Sequence, residues 1–170
     1  MKNKLIIHSF RILTILGVWF LICDCLYSQE MPPRPVSISL ERNLSFGAFS
    51  QSMGGGSVIV YSSGSRTSTG NILLVNLGYM YYPALFKLEG NPGTVVHFMA
   101  GPDAILYGNH GGTMSMKLGD SEPLSPFILS SSSQNGTILV FIGGTLVVGN
   151  PLANPPGNYS GSFIVMFLQE

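Results

Sequence analysis

The sequence predicts an all-β, antiparallel body, a β-sandwich or barrel, preceded by a helical signal peptide. Three observations carry the β prediction. Apolar residues recur at period two, the side-chain repeat of a strand with one buried face. Glycine- and proline-rich turn signals separate these runs at intervals of about 8–12 residues, the rhythm of sandwiches and barrels. No stretch sets apolar residues at helical spacing between caps.

The elements follow in order. Residues 1–28 have the form of a secretory signal. Lys2, Lys4 and Arg11 form a basic start, and Ile12–Cys23 is a mostly apolar run ended by Asp24. That run fits a signal core of ~7–15 residues and falls short of the ~20 a spanning helix needs. A retained anchor is the weaker alternative, drawing on Leu5–Ile7 to lengthen the run. Cleavage after Ser28 leaves Gln29 as the new terminus, although Leu26 fits the small-x-small pattern poorly. Both cysteines, Cys23 and Cys25, lie inside the leader, and Ile22 and Asp24 before them do not suit lipidation. The exported remainder therefore has no disulfide. Its stability must come from burial, which roughly 140 residues can supply.

Past the leader, residues 29–43 read as an N-terminal extension or first strand, and 44–170 as the sandwich domain. Gln29–Pro35 holds three prolines and should run extended. Val36, Ile38 and Leu40 then alternate with Ser37, Ser39 and Glu41. Leu44–Phe49 brings Phe46 and Phe49 into the core around Gly47, which allows a bulge or a close approach. Met53–Gly56 reads as a turn, and Val58 with Val60 starts the next alternation. Ile72–Val75, Ala84–Leu88, Thr94–Met99 and Thr137–Val148 are apolar on both faces, as in more fully buried strands. The last of them should bend at Gly143-Gly144. Met114, Met116 and Leu118 alternate with Ser115 and Lys117. Gly101–Gly112 reads as a long exposed loop with an extended core at Ala104–Tyr107. Ser121–Asn135, with Ser130–Ser133, reads as a flexible connection. Pro156-Gly157-Asn158 should turn the chain so that Tyr159–Leu168 returns as a closing strand. Disorder is disfavoured by the eight Phe and six Tyr that follow the leader.

Charge excludes several functions. Only 9% of residues are charged, and the net charge is zero. Nucleic-acid binding needs a concentrated basic face, which is missing. No phosphate-binding Gly-rich loop, G-x-S-x-G elbow or H-E-x-x-H occurs. His97 sits on a strand face with Val95 and Met99, and His110 lies in a Gly-Asn-His-Gly-Gly loop, each bland as a catalytic candidate. Asp120 and Glu122 share a strand face that would suit Ca²⁺, but beside Pro123 a solvated turn is the stronger reading. No catalytic, cofactor-binding or metal residue is assigned, and the chain is not expected to be an enzyme. Exposed aromatics offer the one ligand-contact set: Tyr79, Tyr81 and Tyr82 before Pro83, with Tyr107 in the long loop. They could stack on a surface glycan or simply cap the core.

Several ordered segments resemble a bacterial secreted family of unknown function that groups with spore-coat-protein-U and fimbrial-subunit sandwiches. They run from Leu44-Ser45-Phe46-Gly47-Ala48-Phe49 through Gly54–Val58, Ser65–Gly70 and Phe86–Gly90. Gly143–Gly149 and Pro156–Val165 close the series. The resemblance implies an immunoglobulin-like, pilin-like sandwich in a Gram-negative envelope, exported to the periplasm, cell surface or medium, with a structural or adhesive role. It also implies partnership with itself or other envelope subunits by strand addition, with no membrane contact after signal cleavage. Val36, Ile38 and Leu40 would be the knobs of such a donor strand, unless Pro35–Arg42 is the domain's own first strand. A missing cysteine departs from disulfide-bearing pilins. The alternative function is a secreted glycan- or ligand-binding module.

Overall fold

The computed structural model describes residues 34–129 and 136–170. Residues 1–33 and 130–135 lie outside the described residues, and with them the expected signal peptide and its cleavage site. The described residues form thirteen strands and no helix. These are β1 (Ser37–Arg42), β2 (Ser45–Phe46), β3 (Phe49–Val60), β4 (Arg66–Leu74), β5 (Tyr81–Tyr82), β6 (Ala84–Gly90) and β7 (Val95–Ala100). They continue with β8 (Ala104–Gly108), β9 (Thr113–Glu122), β10 (Phe127–Ile128), β11 (Gly136–Val148), β12 (Tyr159–Ser160) and β13 (Val165–Gln169).

Every strand pair is antiparallel. One large sheet has the order β1-β6-β11-β9-β8-β12, with β3 and β4 continuing from β11. A smaller sheet has the order β10-β7-β13, and β2 pairs β5 as a ribbon. The long β11 organises the large sheet. Its first half pairs β6, its second half pairs β3, and β9 runs along its other side.

Between the layers lies one apolar core. Leu88, Val140, Ile142, Val58, Val60, Leu129 and Val96 are its most deeply buried members. Phe86 meets Phe167 edge-on with ring centroids 5.6 Å apart, and Phe167 meets Phe98 at 5.8 Å, joining the large sheet to the small one. Such ring pairs contribute about 1 kcal/mol each beyond the area they bury.

Most alternating runs form the expected strands, and four expectations change. Met53–Gly56 is no turn: it lies within β3, where the register against β4 shifts between Gln51 and Gly56. The glycines let the strand carry extra residues as a bulge rather than reverse. Gly101–Gly112 is no long exposed loop: its expected extended core at Ala104–Tyr107 is β8, which pairs both β9 and β12. In Ser121–Asn135, Ser121 and Glu122 complete β9, and β10 with buried Leu129 packs into the second layer. Finally, Tyr159–Leu168 splits into two strands in different sheets. At the crossing between them Gly101 N donates to Ile164 O at 2.9 Å. The expected bend in β11 appears as a register shift between Ile142 and Gly144.

Candidate functional site

Among the described residues two openings in the packed body bear on function. The first is at β1. In an antiparallel ladder directly opposed residues project to the same side of the sheet. Ile38 opposes Leu88 and Leu40 opposes Phe86, both core residues, so Ile38 and Leu40 face inward. Yet they are 48% and 52% exposed. Position explains this. β1 is the outermost strand of the large sheet, β13 is the outermost strand of the small one, and β1 and β13 are not paired. A side chain tethers the two edges at one end: Val36 N donates to Gln169 Oε1 at 3.0 Å, and Gln169 Nε2 donates to Arg34 O at 3.3 Å. Val36 itself packs against the core. The sequence-predicted trio Val36, Ile38 and Leu40 therefore lies at or on a strand that pairs with the chain's own β6.

The second opening is a cleft of about 1080 Å³. Its floor is Leu106, Met114, Met116 and Leu146, at the end of the large sheet's inner face. One wall is residues 43–49 with 78–80 and Tyr82, and the other is residues 155–163.

Arg66 fixes the first wall. Its guanidinium donates to Phe46 O at 2.8 Å and Ala48 O at 3.2 Å, and sits 4.2 Å from the Tyr81 ring centroid. Gly47 lets the chain pass so close. It has φ +67°, and a Cβ there would fall 2.6 Å from Arg66 Nη1. Arg42 makes a similar stack on Tyr82, 4.9 Å from its centroid, while donating to Pro83 O at 3.3 Å. Two successive tyrosines each carry an arginine, so the β2–β5 ribbon is clamped to the body.

Asn154 fixes the second wall and is one of two buried polar side chains among the described residues. Its amide donates to Thr113 O at 2.6 Å and accepts from Gly149 N, and its carbonyl accepts from Gln51 Nε2 at 2.7 Å. Asn150 Oδ1 accepts from Leu152 N and Ala153 N, closing the preceding turn. Tyr159 OH donates to Pro155 O at 2.8 Å. Burial pushes the Tyr159 phenol above its ordinary pKa, and a hydrogen bond with Asn154 opposes the shift.

The four tyrosines singled out in the sequence do not converge. Tyr79 and Tyr82 line the cleft. Tyr81 lies beneath Arg66. Tyr107 is 65% exposed on the opposite face of the large sheet, because it alternates with inward-facing Ala104 and Leu106 along β8. His97 and His110 are apart as well. His97 Nε2 lies 3.1 Å from Glu170 Oε1 without an aligned hydrogen bond, and His110 Nδ1 is 2.9 Å from Pro156 O. Asp120 and Glu122 are both exposed on β9. Among the described residues no group of three or more His, Cys, Asp or Glu could hold a metal ion.

Sequence reasoning missed the Arg66 fork, the Asn154 hub and the cleft. An arginine in a chain this poor in charge was the available signal for the first. Neither of the others had one, since an Asn in a Pro-Leu-Ala-Asn-Pro-Pro turn looks like ordinary turn chemistry.

A family model described as a domain of unknown function (DUF4402) matches residues 36–167. No curated protein and no solved structure matches the chain.

Proposed function

The chain belongs to the DUF4402 family, and from that premise we propose that it is a non-enzymatic, exported envelope protein, a fimbrial or surface structural or adhesive subunit that joins its neighbours by strand addition. The proposal includes an immunoglobulin-like, pilin-type arrangement of the layers and kinship with spore-coat-protein-U and fimbrial subunits. One observation carries it: an outermost strand whose inward-facing Ile38 and Leu40 are left half-uncovered. Such a strand offers a neighbour an unused ladder of backbone donors and acceptors together with apolar side chains still to be buried, the two ingredients of β-augmentation. The signal-like leader supports export, and the cysteine-free remainder places the stability of any joint on burial and main-chain pairing.

The test is the size of the processed protein by sedimentation and by gel electrophoresis without boiling. Wild type should form SDS-resistant multimers. Ile38→Ser with Leu40→Ser, at positions already half in water, should leave a folded monomer. A wild type that is strictly monomeric, or a variant that multimerises as well as wild type, refutes the proposal.

A further inference from the structure

The cleft is a different feature from the β1 edge, and its lining is chemically selective. Among the described residues no Asp, Glu, Lys, Arg or His lines it. A charged ligand would lose hydration there with no counter-charge to replace it. The lining is not simply apolar either. Asn43, Tyr79, Asn158, Ser160 and Ser162 line the cleft. Among the described residues none of these five side chains has a hydrogen-bond partner. Hydroxyls and amides that both donate and accept thus stand beside an aromatic ring over an aliphatic floor.

Both walls are held by bonds that a ligand need not break. The Arg66 fork and its stack on Tyr81 hold one, and Asn154 with the Tyr159–Pro155 bond holds the other. Recognition groups fixed before binding spare the ligand an ordering cost. The volume sits at the upper end of the range for small-molecule sites, enough for several linked rings. An extended peptide fits less well. The short strands of the cleft walls, β2, β5 and β12, have two residues each and cannot template a main-chain ladder.

From these features we infer that the cleft between residues 43–49 with 78–80 and Tyr82 on one side and residues 155–163 on the other binds a neutral oligosaccharide. Sugar hydroxyls would meet Asn43, Asn158, Ser160 and Ser162, and a pyranose C–H face would lie on Tyr79. This is independent of strand addition, and either can fail without the other.

The experiment is binding of the processed protein to an array of neutral and acidic oligosaccharides, followed by calorimetry on the best neutral hit. Four variants accompany wild type, each checked for folding by circular dichroism. Tyr79→Ala should weaken binding about tenfold, the scale of one lost stacking contact. Ser162→Trp, which fills the cleft from an exposed position, should abolish it. Tyr107→Ala on the opposite sheet face should bind as wild type, and so should Ile38→Ser with Leu40→Ser. Binding of no neutral glycan, binding of acidic glycans, lipids or peptides alone, or binding that Ser162→Trp leaves intact would overturn the inference.

Discussion

Removing the Arg66 fork should destabilise the whole domain and loosen one wall of the cleft first. In Arg66→Ala the carbonyls of Phe46 and Ala48 lose donors at 2.8 and 3.2 Å, and the Tyr81 ring loses a cation 4.2 Å away. A hydrogen bond to a charged group is worth about 1.5–3 kcal/mol net, and a half-buried site argues for the low end. The stack adds about 0.5–1 kcal/mol. The total is about 3–4 kcal/mol, or a fall in Tm of about 10 °C for a domain of this size. Urea unfolding followed by far-ultraviolet circular dichroism suits the measurement. Arg66→Lys is the informative companion. It keeps the charge but not the fork, so it should recover less than half of the loss. Gly47→Ala should cost about 1–3 kcal/mol for a side chain at φ +67°. It should cost less in the Arg66→Ala background, where the Nη1 atom obstructing its Cβ is gone. Additivity of the two substitutions, or a loss below about 1 kcal/mol for Arg66→Ala, would refute the idea that the glycine exists to admit the guanidinium.

Three further outcomes are expected. Asn154→Ala deprives the Gly149 amide and the Thr113 carbonyl of their partner at a part-buried site and should cost about 1–2 kcal/mol, with faster hydrogen exchange at Gly149 as its local signature. Leu88→Ala should cost about 3–4 kcal/mol, whereas Leu40→Ala, two residues along the same face of the neighbouring strand from Leu88's partner Ile38, should cost about 1 kcal/mol or less. Equal losses would mean that the β1 opening is closed in solution. Because burial raises the Tyr159 pKa, the folded state holds that proton longer than the unfolded state. Its contribution is complete below the unfolded value of 10.0 and is lost as pH rises through the folded value. Tyr159→Phe should therefore flatten the fall of stability above pH 10, and ultraviolet titration should show one late phenol that the variant lacks.

What the sequence made legible follows from what alternation can encode. Burial on one face leaves a period-two trace, so β1, β6, β7 and β11 stand close to their expected places. The shift in β11 was legible too, because adjacent glycines have no side chains to hold a regular ladder. Sheet membership leaves no such trace. Phe163, Val165 and Phe167 alternate as one strand would, yet the chain changes layers between Ser160 and Val165, since either layer can bury the same residues. Met53–Gly56 failed for a related reason: three glycines fit a turn and a bulge equally, and only pairing with β4 decides. Contacts between distant segments were silent. The Phe46–Arg66 and Asn154–Thr113 bonds cross 20 and 41 residues, and nothing local to either end announces a partner.

Both openings have one cause, which is a mismatch in the width of the layers. The large sheet presents inward-facing apolar residues from β1 at one side to β8 at the other, while the opposing sheet has three strands. Phe167 on Phe86 and Leu129 against the Gly90–Gly136 pair set that small sheet over β6 and the first half of β11. The β2–β5 ribbon covers the middle of the large sheet, with Leu44 and Phe46 over Gly144. Beyond these covers the inner face runs out on both sides: at β1, where Ile38 and Leu40 meet water, and at β8 and β9, where Leu106, Met114 and Met116 floor the cleft. The two ends are finished differently. At the cleft, polar loops wall the apolar floor and keep Met114 and Met116 buried. At β1, among the described residues, no loop does so, and the Gln169 side chain spans the gap. Apolar surface that is walled with uncharged polar groups suits a small ligand, whereas apolar surface beside an unpaired strand edge suits another strand. One uneven pair of layers thus supplies two surfaces of different chemistry, and substitutions at one should leave the other intact.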